Sequence, residues 1–241
     1  MHVRAPDECR PYAGAVVVVE VPRVLSDIGP TTLFRVVDVA GVVANGLLGG
    51  MVARANRFDP IGFVFLALVS GLGGGILRDL MLDAGRPVAL TDPLYLAGVL
   101  AAAVVAYLIP LKGPRTRHAL LVLDYLAVGC WSATGAAKAL GLGLGWMPAI
   151  FLGVVTAVGG GMLRDILINH VPGVFGRSPL YATLSIIASA ELVLLHNSGL
   201  VNAGFALAIL TCGVLGPLAR WRQWTLPIAP EPTLSRRSPA D

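Results

Sequence analysis

Long runs of apolar residues, separated by short segments rich in proline, glycine and charge, fill most of this chain. Several runs approach or exceed about 20 residues, the length that a helix needs to cross the hydrocarbon core of a bilayer. Short connections of this kind favour antiparallel neighbours. The pattern predicts an all-α membrane protein with seven spans: Leu33 to Ala53, Ile61 to Leu82, Pro93 to Ile109, Ala119 to Leu140, Trp146 to Ile168, Pro179 to Leu195 and Leu200 to Leu218.

One string, Gly-Gly-Gly-x-Leu-Arg-Asp, occurs twice, at residues 73–79 and 159–165. The same offset of 86 residues relates Asp38 to Asp124, and Pro-Leu-Tyr at 93–95 to Pro-Leu-Tyr at 179–181. Agreement at three separated places in one ungapped register predicts an internal duplication. Because each copy contains three spans, an odd number, the second copy should enter the membrane from the opposite face. The sequence therefore predicts two inverted three-helix repeats followed by a seventh helix.

This interpretation divides the chain into five parts. We expect a disordered N-terminal extension at 1–32, the first repeat at 33–111, the second repeat at 112–197, the seventh transmembrane helix at 198–219 and a cytoplasmic tail at 220–241.

Composition excludes an ordinary soluble protein. The chain is 56% hydrophobic and 13% charged, with a mean hydropathy of +0.76, whereas about 25% of residues are charged in soluble domains. Basic residues concentrate on one side of the predicted spans, which places the N-terminus outside and the C-terminus in the cytoplasm. The net charge of +4 thus reflects topology, so we expect contact with membrane lipid and no nucleic-acid partner. The basic residues on that side are Arg54, Arg57, Lys112, Arg115, Arg117, Arg177, Arg220 and Arg222.

Three consecutive glycines weaken a helix, because each costs about 1 kcal/mol relative to alanine in a helix interior. One explanation is that spans two and five bend or break there, which exposes backbone groups to water or an ion. The other is close helix packing. We favour the bend, and both can hold at once. The glycines concerned are Gly73, Gly74, Gly75, Gly159, Gly160 and Gly161.

An arginine–aspartate pair follows each glycine string. Charges inside a membrane normally face the protein interior or a watery path. Neighbours in a helix point about 100° apart, so we expect Arg78 to pair with Asp165, and Arg164 with Asp79, across a pseudo-two-fold axis. The alternative is that these residues lie near span ends and reach the lipid headgroups.

Three further polar positions are candidates. Asp38 and Asp124 are either helix N-caps or buried, pore-facing carboxylates, since each has apolar neighbours on both sides. Lys138 either extends to the headgroups or acts as a mobile gating charge. The cysteines and histidines have no metal-ligand spacing, and no nucleophile–base pair is recognisable, so we predict neither an enzyme nor a metal site.

The two tandem units and the seventh span resemble the prokaryotic members of the trimeric intracellular cation (TRIC) channel family, some of which are labelled glycine transporter domains. The resemblance covers about Leu33 to Leu218. It implies a homotrimer in the bacterial or archaeal cell (inner) membrane, with one hydrophilic pore per protomer for K⁺ or Na⁺. It also implies that spans two and five are kinked at the glycine strings. Lys138 is, by location, the nearest counterpart of a basic residue that bears on voltage gating in eukaryotic relatives.

Three functions remain open from the sequence. The first is a passive monovalent cation channel, which the resemblance favours. The second is a secondary transporter of a small solute such as glycine, because inverted repeats with interrupted helices also suit alternating access. The third is a structural membrane scaffold whose glycines serve packing alone. The channel requires no cofactor beyond the permeant ion, and bound lipid is compatible with it.

Overall fold

A computed structural model of the chain describes residues 32–111, 113–175 and 180–225, and the side chains of residues 32–34 lie outside that description. The described residues form seven long α-helices, a four-residue helix at Val88–Thr91 and a 3₁₀ turn at Gly173–Phe175, with no strand. The long helices are α1 (Thr32–Ala55), α2 (Pro60–Leu82), α3 (Pro93–Leu108), α4 (Pro114–Gly141), α5 (Trp146–Leu167), α6 (Tyr181–Asn197) and α7 (Val201–Trp221). Predictions for residues 1–31, Lys112, 176–179 and the tail from 226 concern residues outside the described part.

Proline sets the start of three helices. Pro60, Pro93 and Pro114 each occupy the first turn, where the missing N–H is not needed for helix hydrogen bonding. Asp59 and Asp92 cap two of these helices, because their side chains accept from backbone amides at 2.7 Å and 3.0 Å. The helix α4 extends five residues further toward the N-terminus than the predicted span from Ala119, through a polar turn.

Five of the long helices are long and apolar enough to cross a membrane: Arg35–Ala55 within α1, α2, α4, α5 and α7. The helix α3 is apolar but shorter, and α6 has 17 residues. These helices define an all-helical membrane protein. That all seven cross the bilayer, and that the two halves do so in opposite senses, stay predictions.

The packing of the helices repeats along the chain. The helices α1, α2 and α3 pack against one another in pairs, and α4, α5 and α6 do so in the same pattern. The two groups meet where α1 packs on α4 and α2 packs on α5, while α7 packs on α4 and α6. Each group thus contributes matched helices to a central interface.

Small residues bring these helices close together. A Cβ added to Gly49 of α1 would lie 2.6 Å from the carbonyl oxygen of Leu66 in α2. A Cβ added to Gly129 of α4 would lie 2.4 Å from the carbonyl oxygen of Ala208 in α7. Buried alanines fill much of the rest of the core. Contacts between small residues are the usual way in which membrane helices approach each other.

Candidate functional site

The glycine strings form the contact between α2 and α5. A Cβ on Gly74 would lie 2.1 Å from the carbonyl oxygen of Thr156, and a Cβ on Gly160 would lie 2.4 Å from that of Ser70. Both helices continue through their strings without interruption. The break considered from the sequence is therefore absent, and close packing accounts for these glycines. A bend within the continuous helices stays a prediction.

The third glycine of each string has a different environment. A Cβ on Gly75 would meet only the Arg78 guanidinium, at 3.8 Å, and a Cβ on Gly161 would meet only that of Arg164, at 3.8 Å. The strings therefore combine two packing positions, such as Gly73 and Gly74, with one position beside an arginine.

Two cavities whose linings include charged side chains lie on either side of this contact. The first has a volume of about 430 Å³ and the second about 380 Å³. The helix α4 lines the first cavity with residues between Cys130 and Lys138, near its C-terminal end, and the second with residues between Arg117 and Tyr125, near its N-terminal end. Because α4 contributes opposite ends of its length, the cavities lie at opposite ends of the bundle.

The arginine–aspartate pairs form within each helix. Arg78 Nε donates to Asp79 Oδ1 at 2.7 Å, and Arg164 donates to Asp165 Oδ1 through Nε at 3.0 Å and through its terminal nitrogen at 2.8 Å. The expected pairing across the pseudo-axis is wrong. The 100° between neighbouring Cα–Cβ directions does not prevent pairing, since the three methylenes of arginine let the guanidinium turn back to the adjacent carboxylate. Arg164 also reaches Ser70 of α2 at 3.5 Å.

These charges lie close to the ends of α2 and α5, yet they are not freely exposed. Arg78 is 5% exposed and Asp79 is 8% exposed. Both pairs line cavities, Arg78 and Asp79 the first and Arg164 and Asp165 the second. Protein atoms therefore surround the first pair, and its depth in the membrane stays a prediction.

Lys138 binds the same carboxylate as Arg78. Its Nζ lies 3.0 Å from Asp79 Oδ1, and its side chain is 32% exposed. Two cations thus share one carboxylate in the first cavity. The first repeat has no lysine of this kind, because Val52 occupies the position there that matches Lys138 of the second repeat.

The second carboxylate oxygen of Asp79, and that of Asp165, accepts a hydrogen bond from the backbone of the segment that follows its helix. Asp79 Oδ2 accepts from the backbone N–H of Val88 at 3.0 Å, and Asp165 Oδ2 accepts from that of Gly173 at 3.1 Å. The two carboxylates therefore hold the segments that follow α2 and α5 close to the arginine–aspartate pairs.

Asp38 and Asp124 lie inside helices and line the two cavities, so they are not N-caps. Asp38 Oδ2 accepts from Tyr95 Oη, and Asp38 Oδ1 accepts from Trp131 Nε1 at 2.6 Å. Asp124 Oδ1 accepts from Tyr181 Oη at 3.1 Å and from Asn45 Nδ2 at 2.8 Å.

These four donors obey the same offset. Tyr95 matches Tyr181, and Asn45 matches Trp131. Each aspartate thus receives one hydrogen bond from a tyrosine of its own repeat and one from the other repeat. The sequence predicted no role for these donors, although the repeated Pro-Leu-Tyr already marked the tyrosines. Asn45 and Trp131 differ in type, so sequence identity could not reveal their match.

In the part of the chain that the structure describes, no three His, Cys, Asp or Glu side chains cluster so that they could hold a metal ion. The site is therefore built from buried ion pairs, carboxylates with neutral donors, and a glycine contact between two cavities.

These features define a multi-pass, all-helical membrane protein whose matched halves enclose charged cavities. The chain belongs to the prokaryotic TRIC channel family. The family model that matches is described as "Glycine transporter", and it matches twice, at residues 35–110 and 121–197. Both matches fall within the two proposed repeats.

Relatives of known sequence are also membrane proteins. A UPF0126 membrane protein of Deinococcus radiodurans is 33% identical over 199 residues, which cover 79% of this chain and 89% of the relative. The UPF0126 inner membrane protein YadS of Escherichia coli K12 is 32% identical over 62% of this chain and 72% of its own length. Both relatives are described as membrane proteins, and neither description names an enzyme.

Solved structures agree as well. One solved structure is described as the structural basis for conductance through TRIC cation channels. It superposes with a TM-score of 0.76 at 27% identity, covering 82% of this chain and 98% of that chain. The trimeric intracellular cation channel orthologue from Rhodobacter sphaeroides superposes with a TM-score of 0.67 at 33% identity, covering 80% of this chain and 100% of the orthologue's chain. The chain therefore has the TRIC channel fold.

Proposed function

We propose that this protein is a homotrimeric channel for monovalent cations such as K⁺ and Na⁺, with one pore in each protomer. The observation that carries the proposal is the pair of charged cavities at opposite ends of one bundle, separated by the glycine contact of α2 and α5. The similar TRIC cation channels support conduction, and the orthologue described as trimeric supports the trimer.

In this proposal, the pore runs between the two inverted repeats, and the glycine contact closes it. The carbonyl oxygens of Thr156 and Ser70 lie against Gly74 and Gly160. A bend of α2 and α5 at the strings would part the contact and expose these oxygens to a passing ion. Carbonyl oxygens replace part of the hydration shell of a cation in known filters.

The charged residues have separate roles in this mechanism. Arg78 and Arg164 cannot attract cations, so they fix the ends of α2 and α5 by neutralising the adjacent aspartates. Lys138 is the candidate gating charge, because it shares Asp79 with Arg78 and can leave without stranding that carboxylate. Moving one charge through 100 mV is worth about 2.3 kcal/mol, which is enough to bias such an equilibrium.

The setting follows from the charges and the relatives. We place the protein in the inner membrane of a prokaryotic cell, with the N-terminus outside and the C-terminus in the cytoplasm, as the positive-inside rule indicates. The arginines Arg54, Arg57 and Arg222 then lie on the cytoplasmic side, where anionic lipid can bind.

A planar bilayer holding the purified protein under a K⁺ gradient tests the proposal. We expect unitary currents whose reversal potential follows K⁺. The double variant Gly74→Leu with Gly160→Leu should carry less current while its trimer, measured by light scattering, persists. A matched control is Gly145→Leu, since a Cβ at Gly145 meets no neighbouring atom within 4 Å. Absence of current from the unmodified protein refutes the channel.

A second candidate is a secondary transporter of a small solute such as glycine. The description of the matching family model favours it, and cavities at both ends of a bundle also suit alternating access. Saturable uptake of labelled glycine into liposomes, without unitary currents, would establish the transporter.

A further inference from the structure

We infer that Asp38 and Asp124 form two matched binding sites for a partly dehydrated monovalent cation, one in each cavity. This inference rests on the proposed channel function and names the side chains that would hold the permeant ion. It also separates these two aspartates from Asp79 and Asp165, which have the same charge but a different role.

The ion pairs of the first cavity distinguish Asp38 from the other carboxylates there. Three carboxylates line it, and two of them bind cationic side chains: Asp79 as described above, and Asp92 through Arg35 at 2.6 Å. Asp38 has no ion pair with a described residue, because its two bonds come from the neutral groups of Tyr95 and Trp131. An ionised carboxylate in such a place is expensive unless a cation compensates it.

The second cavity repeats this arrangement. Of its two carboxylates, Asp165 is bound by Arg164, whereas Asp124 receives hydrogen bonds only from the neutral groups of Asn45 and Tyr181. Both bonds reach Asp124 Oδ1, and Asp124 Oδ2 makes no hydrogen bond with a described residue. One oxygen of Asp124 is thus available to a ligand.

The chemistry of the surrounding groups fits a hard monovalent cation. Each tyrosine hydroxyl uses its proton toward the aspartate and keeps oxygen lone pairs, and the Asn45 side-chain amide also has a carbonyl oxygen. Carboxylate, hydroxyl and carbonyl oxygens are the ligands that hard cations prefer. The same donors hold each carboxylate in place from two helices, so the oxygens are positioned before an ion arrives.

The locations of the sites fit transport rather than storage. One site lies on each side of the glycine contact, so an ion would bind, cross the contact and bind again. Lys138 and the exposed arginines Arg86, Arg117 and Arg220 line the same cavities and oppose tight binding. Conduction requires sites that an ion enters and also leaves, and several weak sites in series meet that requirement.

Trp131 offers a direct probe of the first site, because its indole N–H bonds to Asp38. Replacing the other tryptophans, Trp146, Trp221 and Trp224, by phenylalanine leaves Trp131 as the single tryptophan; all three are exposed. KCl replaces N-methyl-D-glucamine chloride at constant ionic strength while Trp131 fluorescence is recorded. We expect a saturable change with K⁺ that Asp38→Asn abolishes and that Asp38→Glu, which keeps the carboxylate, retains with altered affinity.

Conductance probes the second site. A unit charge about 4 Å away raises the local cation concentration about fivefold in water, so Asp124→Asn should lower the unitary K⁺ current about fivefold at low salt. The effect should shrink at 1 M salt, where charges are screened within about 3 Å. Asp83→Asn is the control, since Asp83 is exposed, lies outside both cavities and has a left-handed backbone that asparagine tolerates.

The outcomes separate this inference from the channel proposal. Currents that persist unchanged in Asp124→Asn, with Trp131 fluorescence insensitive to K⁺, overturn the two sites and leave the channel intact. Fluorescence that responds to pH but not to K⁺ also overturns them, because the first site would then respond to protons without binding K⁺. A K⁺ response without any unitary current supports the first site and refutes the channel.

Discussion

Replacing Gly74 by alanine should weaken the protein, whereas the same change at the adjacent Gly75 should strengthen it. The added methyl carbon at 74 would lie 2.1 Å from the carbonyl oxygen of Thr156, and ordinary contact begins at 3.4 Å. The helix α5 must therefore move by about 1.3 Å at this point. The obstacle is backbone, which cannot rotate away as a flexible side chain can.

The magnitude follows from two opposing effects. Overpacking of this kind costs about 1–3 kcal/mol, and we take the upper part of that range because the clash is with backbone. Alanine regains about 1 kcal/mol relative to glycine in a helix interior. We expect Gly74→Ala to lower the free energy of unfolding by about 1–2 kcal/mol. At Gly75 the new methyl group meets only Arg78 at 3.8 Å, so a gain of up to about 1 kcal/mol remains.

The free energy of unfolding can be measured by denaturant titration in bicelles. The second repeat supplies an independent pair, since Gly160 faces the carbonyl oxygen of Ser70 at 2.4 Å and Gly161 meets only Arg164. Gly160→Ala should therefore destabilise and Gly161→Ala should not. Equal changes at the second and third glycines of a string, or a stabilised Gly74→Ala, would show that the close contact of α2 and α5 is wrong.

Two further predictions concern the charged groups. The losses in the free energy of unfolding caused by Arg78→Ala and by Lys138→Met should be strongly non-additive, because either cation alone still neutralises Asp79. The double variant leaves a buried carboxylate without a partner, at a cost of about 3–5 kcal/mol. A double-mutant cycle on unfolding measures this coupling, and additive losses would contradict the shared carboxylate. Tyr181→Phe should cost about 1.5–3 kcal/mol if Asp124 is ionised, as the inferred cation site requires, since the Tyr181 hydroxyl donates to that carboxylate; a loss below about 0.5 kcal/mol in the same measurement would mean that this bond is absent or that the carboxyl is neutral.

Hydropathy was sufficient to place several helices. The predicted span from Ile61 to Leu82 and the helix Pro60–Leu82 differ by one residue, and the prediction from Trp146 to Ile168 exceeds its helix by one. Proline and glycine mark these boundaries in the sequence. The start of α4 was missed because an apolar run reports the length that suits a membrane, whereas the helix itself begins earlier, at Pro114.

The pairing of charged side chains was harder to predict from the sequence than the positions of the helices. The prediction treated the directions of Arg78 and Asp79 from the backbone as decisive, but a long side chain can return to its neighbour. The bond between Lys138 and Asp79 joins α4 to α2, and no local pattern encodes the distance between those helices. The match between Asn45 and Trp131 could be recognised only in the folded structure, because the two residues share a position and a role but have different side-chain chemistry.

The lysine that joins Asp79 at only one end of the bundle makes the two copies electrically unequal. A duplicated ancestor with identical halves would carry the same current in both directions. This chain has Val52 where its other half has Lys138, so the charge at these two matched positions differs between the halves. If the chain conducts, a membrane that holds every molecule in one orientation should show rectification, and Lys138→Val should make the current–voltage curve more symmetric.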